Sequence, residues 1–329
     1  MPTPPPPRVK PPALQPGDTV AIVAPASNIQ PGLLEAGVLT LERMGYRPFY
    51  LPSILDQDLY FAGTVKRRAR ELEEMFERED VRAILCARGG YGANYLLEEL
   101  DIEKIAAHPK IFCGYSDLTT LLTYFADEAG FVTFHGPMIT KDFAANDGVH
   151  LESWKSAVGG KREWDVASGR ALRVLVKGSA EGVLYGGCLS LLAASLGTPY
   201  EIATDGAILF LEDVSAKPYQ IDRMLMQLKL AGKFDGVRGI LFGEMLDCIQ
   251  HPEQTYTLEE VVTRVVGDLG VPVVYGLRSG HVAGENITLP IGVRAQVRAQ
   301  AEARVTIVEA ATEPRSSSAQ SSQSARGRS

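Results

Sequence analysis

Short, mainly apolar runs alternate with helical repeats along the first half of the chain. Gly17–Pro25 reads as a turn followed by a buried strand, and Arg47–Leu51, Ala83–Ala87, Ile111–Cys113 and Val132–Phe134 read as strands. Between them, Pro31–Met44 repeats Leu33, Leu34, Val38, Leu41 and Met44 at helical spacing, Thr64–Glu79 is a charged helix, and Asn94–Leu100 a shorter one. Apolar runs of this kind are buried on both faces, and their alternation with helices predicts an open, mostly parallel sheet covered on both sides. Ligands of such sheets sit at the carboxyl ends of the strands. The segments that follow the strands are therefore where chemistry is to be sought.

Two of those segments stand out. In Lys110–Phe125 the apolar Ile111-Phe112-Cys113 runs through Gly114-Tyr115 into Ser116, and Leu118, Leu121, Leu122 and Phe125 then recur at helical spacing with no loop between. A serine on such an elbow projects its hydroxyl from the backbone, and the next N–H sits at the positive end of a helix, where it can face a developing oxyanion. The position two after Ser116 is Leu118, not glycine, so the elbow is not the G-x-S-x-G form. Serine is also a preferred helix N-cap, and this segment alone leaves both roles open. The second segment, Arg88-Gly89-Gly90-Tyr91-Gly92, matches neither the dinucleotide nor the Walker fingerprint. Its backbone N–H groups offer an oxyanion donor, or the segment is a tight turn.

The second half opens with Ala180–Cys188 and the small-residue helix Leu189–Leu196. Ala207–Leu211 and Gly239–Gly243 are strong strands, flanking the helix Tyr219–Leu230, and Leu258–Leu269 is a further helix. Val273–Tyr275, Ile287–Gly292 and Arg304–Val308 read as later strands. The expected organisation is a proline-rich disordered head at 1–13, a first domain at 14–150, a linker at 151–179, a second domain at 180–311, and a Ser/Gln/Arg-rich disordered tail at 312–329.

The 329 residues suit about two domains. A net charge of −7 favours neither nucleic acid nor an anionic membrane as partner. No apolar run reaches membrane-spanning length, and the N-terminus lacks the core of a signal peptide, so a cytoplasmic location is expected. Cys86, Cys113, Cys188 and Cys248 are far apart in apolar segments, which suits reduced core thiols better than disulfides or a zinc site.

A serine nucleophile needs a base and an orienting acid. Of five histidines, His108, His150 and His251 lie in polar or loop contexts, His135 ends a strand, and His281 follows one among Gly280, Gly284 and Asn286. Glu212 and Asp213 end the Ile208–Leu211 run, where a carboxylate at a sheet edge can fix an imidazole tautomer. Each of these has a plain structural explanation when taken singly.

Together they form a pattern. Gly17-Asp18-x-Val20-x-x-x-Ala24-Pro25, the 88–92 loop, Gly114-Tyr115-Ser116-Asp117, Leu211-Glu212-Asp213 and Gly280-His281-x-x-x-x-Asn286 resemble the LD-carboxypeptidases, a family that includes the microcin C immunity peptidases. The similar blocks run from about residue 14 to 310 in the family's order. The resemblance implies a flavodoxin-like N-terminal domain, a β-rich C-terminal domain, and a serine peptidase without metal or other cofactor. It implies Ser116 as nucleophile, His281 as general base, Glu212 as its orienting carboxylate, and the Gly90 and Asp117 N–H groups as oxyanion hole. It also implies a homodimer that removes terminal D-alanine from murein tetrapeptides during cell-wall peptide recycling. A carboxypeptidase must grip a free carboxylate, and Arg88 suits that role through its two-pronged guanidinium.

Two other functions remain compatible with the chain. One is a peptidase of peptidyl or aminoacyl adenylates, which would want an aromatic residue for the base, with only Trp154 and Trp164 as tryptophans. The other is a non-catalytic two-domain binding module, which leaves Ser116, Glu212 and His281 unexplained as a set. An amidotransferase would need cysteine on the elbow, and Cys113 lies inside the strand.

Overall fold

A computed structural model describes residues 7–169, 172–251 and 253–315. In chain order the strands are β1 (Thr19–Val23), β2 (Arg47–Phe49), β3 (Val81–Cys86), β4 (Ile111–Gly114), β5 (Thr133–His135), β6 (Trp164–Gly169), β7 (Arg173–Val176), β8 (Gly178–Cys188), β9 (Ala207–Glu212), β10 (Gly239–Gly243), β11 (Val273–Leu277), β12 (Leu289–Ile291), β13 (Arg294–Ala299) and β14 (Ala303–Ile307). The helices are α1 (Pro31–Arg43), α2 (Val65–Glu77), α3 (Ile102–Ala107), α4 (Thr119–Asp127), α5 (Leu151–Val158), α6 (Leu189–Ala194), α7 (Pro218–Leu230) and α8 (Leu258–Val266).

The first sheet has the order β12-β5-β4-β3-β1-β2, with β2 to β5 mutually parallel and β12 antiparallel to β5. Without β12 this is the flavodoxin-like order, whose ligand crevice opens where β1 and β3 diverge. The second sheet runs β6-β14-β13-β8-β9-β10-β11-β7, with a parallel centre from β8 to β11 and antiparallel flanks. One buried cluster spans both sheets, from Ile22, Leu85 and Phe134 to Phe210, Leu241 and Val305, so the two halves share a core.

Local chemistry explains the helices. Thr64 caps α2 by accepting the Arg67 N–H, and Ala69, Leu72, Met75 and Phe76 give that charged helix its buried face. Thr257 and Glu260 close a capping box on α8, and Pro218 starts α7.

Several expectations need correction. Residues 151–179 are not a bare linker: they hold α5 and the edge strands β6 and β7. Asn94–Leu100 is only a 3₁₀ turn at Ala93–Leu96, and α3 follows it. The strand at 287–292 belongs to the first sheet, not the second. Residues 8–13 of the head are extended and tied down: Val9 N–H donates to Gly130 O, and Ala13 N–H to Glu313 O. At the start of the tail, Thr312 is buried, and Arg315 pairs with Asp18. The head at 1–6 and the tail at 316–329 lie outside the described residues.

Candidate active site

β4 ends at Gly114, and Ser116 follows with φ of +64°. Holding a non-glycine residue in the left-handed region costs on the order of 1–3 kcal/mol, and such strain clusters at functional positions. Ser116 opens a 3₁₀ turn, Ser116–Leu118, that leads into α4. The N-cap positions of these two segments are Tyr115 and Leu118, and neither makes a side-chain cap bond. Ser116 is therefore not the helix N-cap that its residue type allows. Asp117 N–H lies in the first turn, where backbone donors lack an intrahelical acceptor.

The loop after β3 packs against this elbow. A methyl on Gly89 would stand 3.1 Å from Ser116 Oγ and 3.3 Å from Asp117 N, so only a bare backbone fits beside the serine. Gly90 has φ of +95°. Two residues absent from the sequence-based site, Ser27 and Arg68, hold the loop in place together with the Asp117 side chain. Ser27, just after β1, donates its N–H to Gly89 O at 3.2 Å and accepts Tyr91 N–H on Oγ at 3.1 Å. Asp117 Oδ2 accepts Ala93 N–H at 2.8 Å. The buried Arg68 donates to Gly92 O at 2.8 Å and to Pro25 O. Burial pushes the Asp117 carboxyl up to about 6, against the opposing pull of Ala93 N–H and Arg68.

The second sheet supplies the imidazole. Glu212, fully buried at the end of β9, accepts on one oxygen, Oε2, both His281 Nδ1 at 2.8 Å and His281 N–H at 2.9 Å. Burial alone would raise this carboxyl. The facing imidazoles of His135 and His281 more than offset that and hold it down to about 2. A carboxylate on Nδ1–H leaves Nε2 of His281 as the free, basic nitrogen. Asn286 clasps the turn in both directions, accepting Gly280 N–H at 3.0 Å and donating to Gly280 O at 3.2 Å. That is the physical role of the last residue in the Gly-His…Asn pattern. Asp213 points elsewhere, onto Ser190 N–H and Val214 N–H, and is not the orienting acid.

Ser116 and His281 line one cleft of about 450 Å³, together with Arg88, Gly89, Gly90, Tyr115, Thr140 and Lys141 among others. Arg88 is exposed there and donates to Asn28 O at 3.1 Å. Lys141, which the sequence reading missed, stands 5.4 Å from the Tyr115 ring centre. It lies in the turn Ile139–Phe143, which carries no periodic signal. Among the described residues the cleft lining thus holds two cations and no carboxylate, a setting for an anionic ligand.

The remaining candidates fall away from the cleft. His108 and His251 are exposed, and His150 caps α5 through Nδ1. Trp154 is buried with Nε1 on Tyr46 OH, and Trp164 is buried too, so neither is free to stack on a base. All four cysteines are buried and unpaired. Ligand atoms of Cys188, Glu212 and His281 lie within 4.8 Å of one another, and burial pushes the Cys188 thiol well up.

Comparisons with known proteins identify the family. A family model described as the LD-carboxypeptidase N-terminal domain matches residues 20–136, and one described as the LD-carboxypeptidase C-terminal domain matches 181–297. The chain is 41% identical over 290 residues to a probable murein peptide carboxypeptidase of Bacillus subtilis (strain 168), covering 87% of this chain and 90% of that protein. It is 30% identical over 313 residues to the microcin C7 self-immunity protein MccF of Escherichia coli, covering 84% and 90%. The solved muramoyltetrapeptide carboxypeptidase from Oxalobacter formigenes superposes with a TM-score of 0.79 at 30% identity, covering 89% of this chain and 99% of that one.

Proposed function

Because the chain belongs to the LD-carboxypeptidase family, we propose that it is a serine carboxypeptidase that removes the terminal D-alanine of murein tetrapeptides. The observation that carries this reading is the Glu212–His281 pair, bonded at 2.8 Å, opening onto the cleft that also holds the left-handed Ser116. The names of the relatives support the substrate.

In this mechanism His281 Nε2 takes the Ser116 proton as Oγ attacks the scissile carbonyl. Glu212 keeps Nδ1 protonated and stabilises the imidazolium that forms. The N–H groups of Asp117 and Gly90 receive the oxyanion, each contributing about 3 kcal/mol to lowering the barrier, as in comparable sites. The imidazolium then returns its proton to the departing amine of D-alanine. Water, activated by the same nitrogen, resolves the acyl-enzyme and regenerates Ser116. Arg88, with Lys141 nearby, neutralises the substrate's terminal carboxylate. We read the protein as a cytoplasmic homodimer, as the family resemblance implies, and light scattering of the purified chain tests the dimer.

Incubation with a murein tetrapeptide, followed by mass spectrometry, tests the reaction. Wild type loses one alanine from the substrate, and Ser116→Ala does not. Cleavage by both proteins overturns the serine mechanism, and cleavage by neither overturns the substrate. The second reading, cleavage of aminoacyl adenylates, has the likeness to MccF in its favour. The burial of both tryptophans counts against it.

A further inference from the structure

His135 ends β5 with no exposed surface, and nothing in the mechanism above uses it. Its Nδ1 lies 3.1 Å from Ser279 Oγ. Ser279 has one hydroxyl proton, and that proton is committed to Ile287 O at 2.7 Å, since a carbonyl can only accept. Ser279 must therefore accept from His135, so Nδ1 carries a proton. The other nitrogen, Nε2, faces Glu212 Oε1 at 3.7 Å. Among the described residues neither Nε2 nor Oε1 has a hydrogen-bond partner. A bare Nε2 would set a lone pair against a carboxylate oxygen in a buried site, where an unpaired acceptor is costly. A protonated Nε2 turns the same approach into an ion pair.

The backbone is shaped for this approach. Gly280 has φ of +90°, and a methyl there would stand 2.5 Å from Glu212 Cδ and 2.8 Å from His135 Cε1. The groups facing His135 are Glu212, Ser279, Gly280, the Tyr115 ring at 5.9 Å and the Phe210 ring at 5.1 Å. Glu212 is the one carboxylate among them.

We propose that His135 is a positioning residue for the reaction: protonated on both ring nitrogens, it donates from Nδ1 to Ser279 and holds Glu212 Oε1 by charge, so that Oε2 stays on His281. The buried carboxylate is then clamped between two imidazoles. The charge attraction across 3.7 Å holds Oε1 without turning the carboxylate, and both Oε2 bonds to His281 are preserved. Loss of the clamp frees Glu212 to rotate towards His135's site and loosens His281.

The inference rests on the proposed mechanism, and two substitutions separate the two ring nitrogens. His135→Asn places an amide donor near Nδ1, keeping Ser279 satisfied while leaving Glu212 Oε1 alone. His135→Gln places a donor near Nε2, facing Glu212. Expected is a kcat loss for Asn on the order of 10–100-fold, the scale seen when an outer partner of a metal-bound ligand is removed, with KM unchanged. Gln restores most of that loss. Equal kcat values for the two variants overturn the proposal, as does a drop that follows thermal stability alone. Nitrogen-15 NMR of wild type provides a reading that needs no substrate. The signals lost in His135→Gln should come from a ring protonated at both nitrogens, and a bare Nε2 overturns the proposal even if the variants misfold. Should wild type cleave no murein peptide, the functional reading fails while the NMR result still decides the protonation of His135.

Discussion

Gly90→Ala asks whether the loop after β3 contributes to the chemistry. The added methyl meets two obstacles. Gly90 has φ of +95°, a conformation that costs an L-residue about 1–2 kcal/mol. Its Cβ would also stand 2.3 Å from Ser27 Oγ and 2.7 Å from Ser27 Cβ. Ser27 cannot simply step aside, because its N–H is bonded to Gly89 O and its Oγ receives Tyr91 N–H. Relief therefore moves the loop and breaks the Tyr91 bond, a further loss of about 1 kcal/mol. The sum is about 2–3 kcal/mol of stability, read as a lower unfolding midpoint. If Gly90 N–H receives the oxyanion, the same displacement lowers kcat about 10²–10³-fold, the cost of one such donor. KM should change little, because the ground-state carbonyl makes less use of that donor. The assay is steady-state release of D-alanine beside a melting curve. In the double variant Gly90→Ala/Ser27→Gly the clash that displaces the loop is gone, so stability and kcat both recover in part, while Tyr91 N–H stays unpaired. A folded Gly90→Ala enzyme that keeps kcat within about threefold of wild type refutes the oxyanion role, since removal of a true donor is far larger.

Other perturbations address the remaining parts of the site. Arg88→Lys keeps the charge but loses the two-pronged geometry, and KM should rise roughly tenfold with kcat nearly constant; an unchanged KM removes Arg88 from carboxylate recognition. The Glu212 carboxyl is held at about 2 against an ordinary 4.5, so the folded state favours its ionised form. That contribution is fully present above 4.5 and fades as pH falls towards about 2, amounting to about 3 kcal/mol. Wild type should then lose stability over that window more steeply than Glu212→Gln, and parallel acid-unfolding curves would contradict the assignment. Exhaustive chelation should leave D-alanine release unchanged, whereas a loss reversed by added zinc would point to metal at Cys188, Glu212 and His281 instead of serine catalysis.

The strands legible in the sequence are those buried on both faces. β4 and β9 are uninterrupted apolar runs, and parallel strands covered by helices require such runs. β6 and β7 were not legible because they are edge strands: Asp165 and Arg173 are exposed, and the β7 run Val174–Val176 is half-buried. β12 is Leu-Pro-Ile, and proline demotes a strand to an edge without saying which sheet it joins. In the site, residue types and order singled out Ser116, Glu212 and His281, yet the two roles open to Ser116 differ by a backbone angle that only tertiary packing sets. Ser27 and Arg68 carry no motif. They matter because the fold delivers a hydroxyl and a guanidinium to carbonyls and N–H groups of a distant loop. His135 was legible as a residue at a strand end, but its contact with Glu212 depends on how the second sheet is placed against the first.

That placement is the central problem of a site whose serine and imidazole come from different sheets, and β12 is the physical answer. The chain leaves β11, passes through Ser279, His281 and Asn286, and then enters the first sheet, pairing Leu289 with His135 and Ile291 with Thr133. The His281 turn is thus tethered at one end to its own sheet and at the other to β5, two strands from β3 and its loop and next to β4 and its elbow. Leu289 and Ile291 are both fully buried. A one-residue slip would turn each of them to the opposite face, so the register is fixed by burial. Thr119 Oγ1, at the start of α4, accepts Cys188 N–H at 3.0 Å and adds a second tie close to Ser116. With the turn anchored on both sheets, strand pairing and a shared core set the Glu212–His281 pair at the cleft that Ser116 also lines.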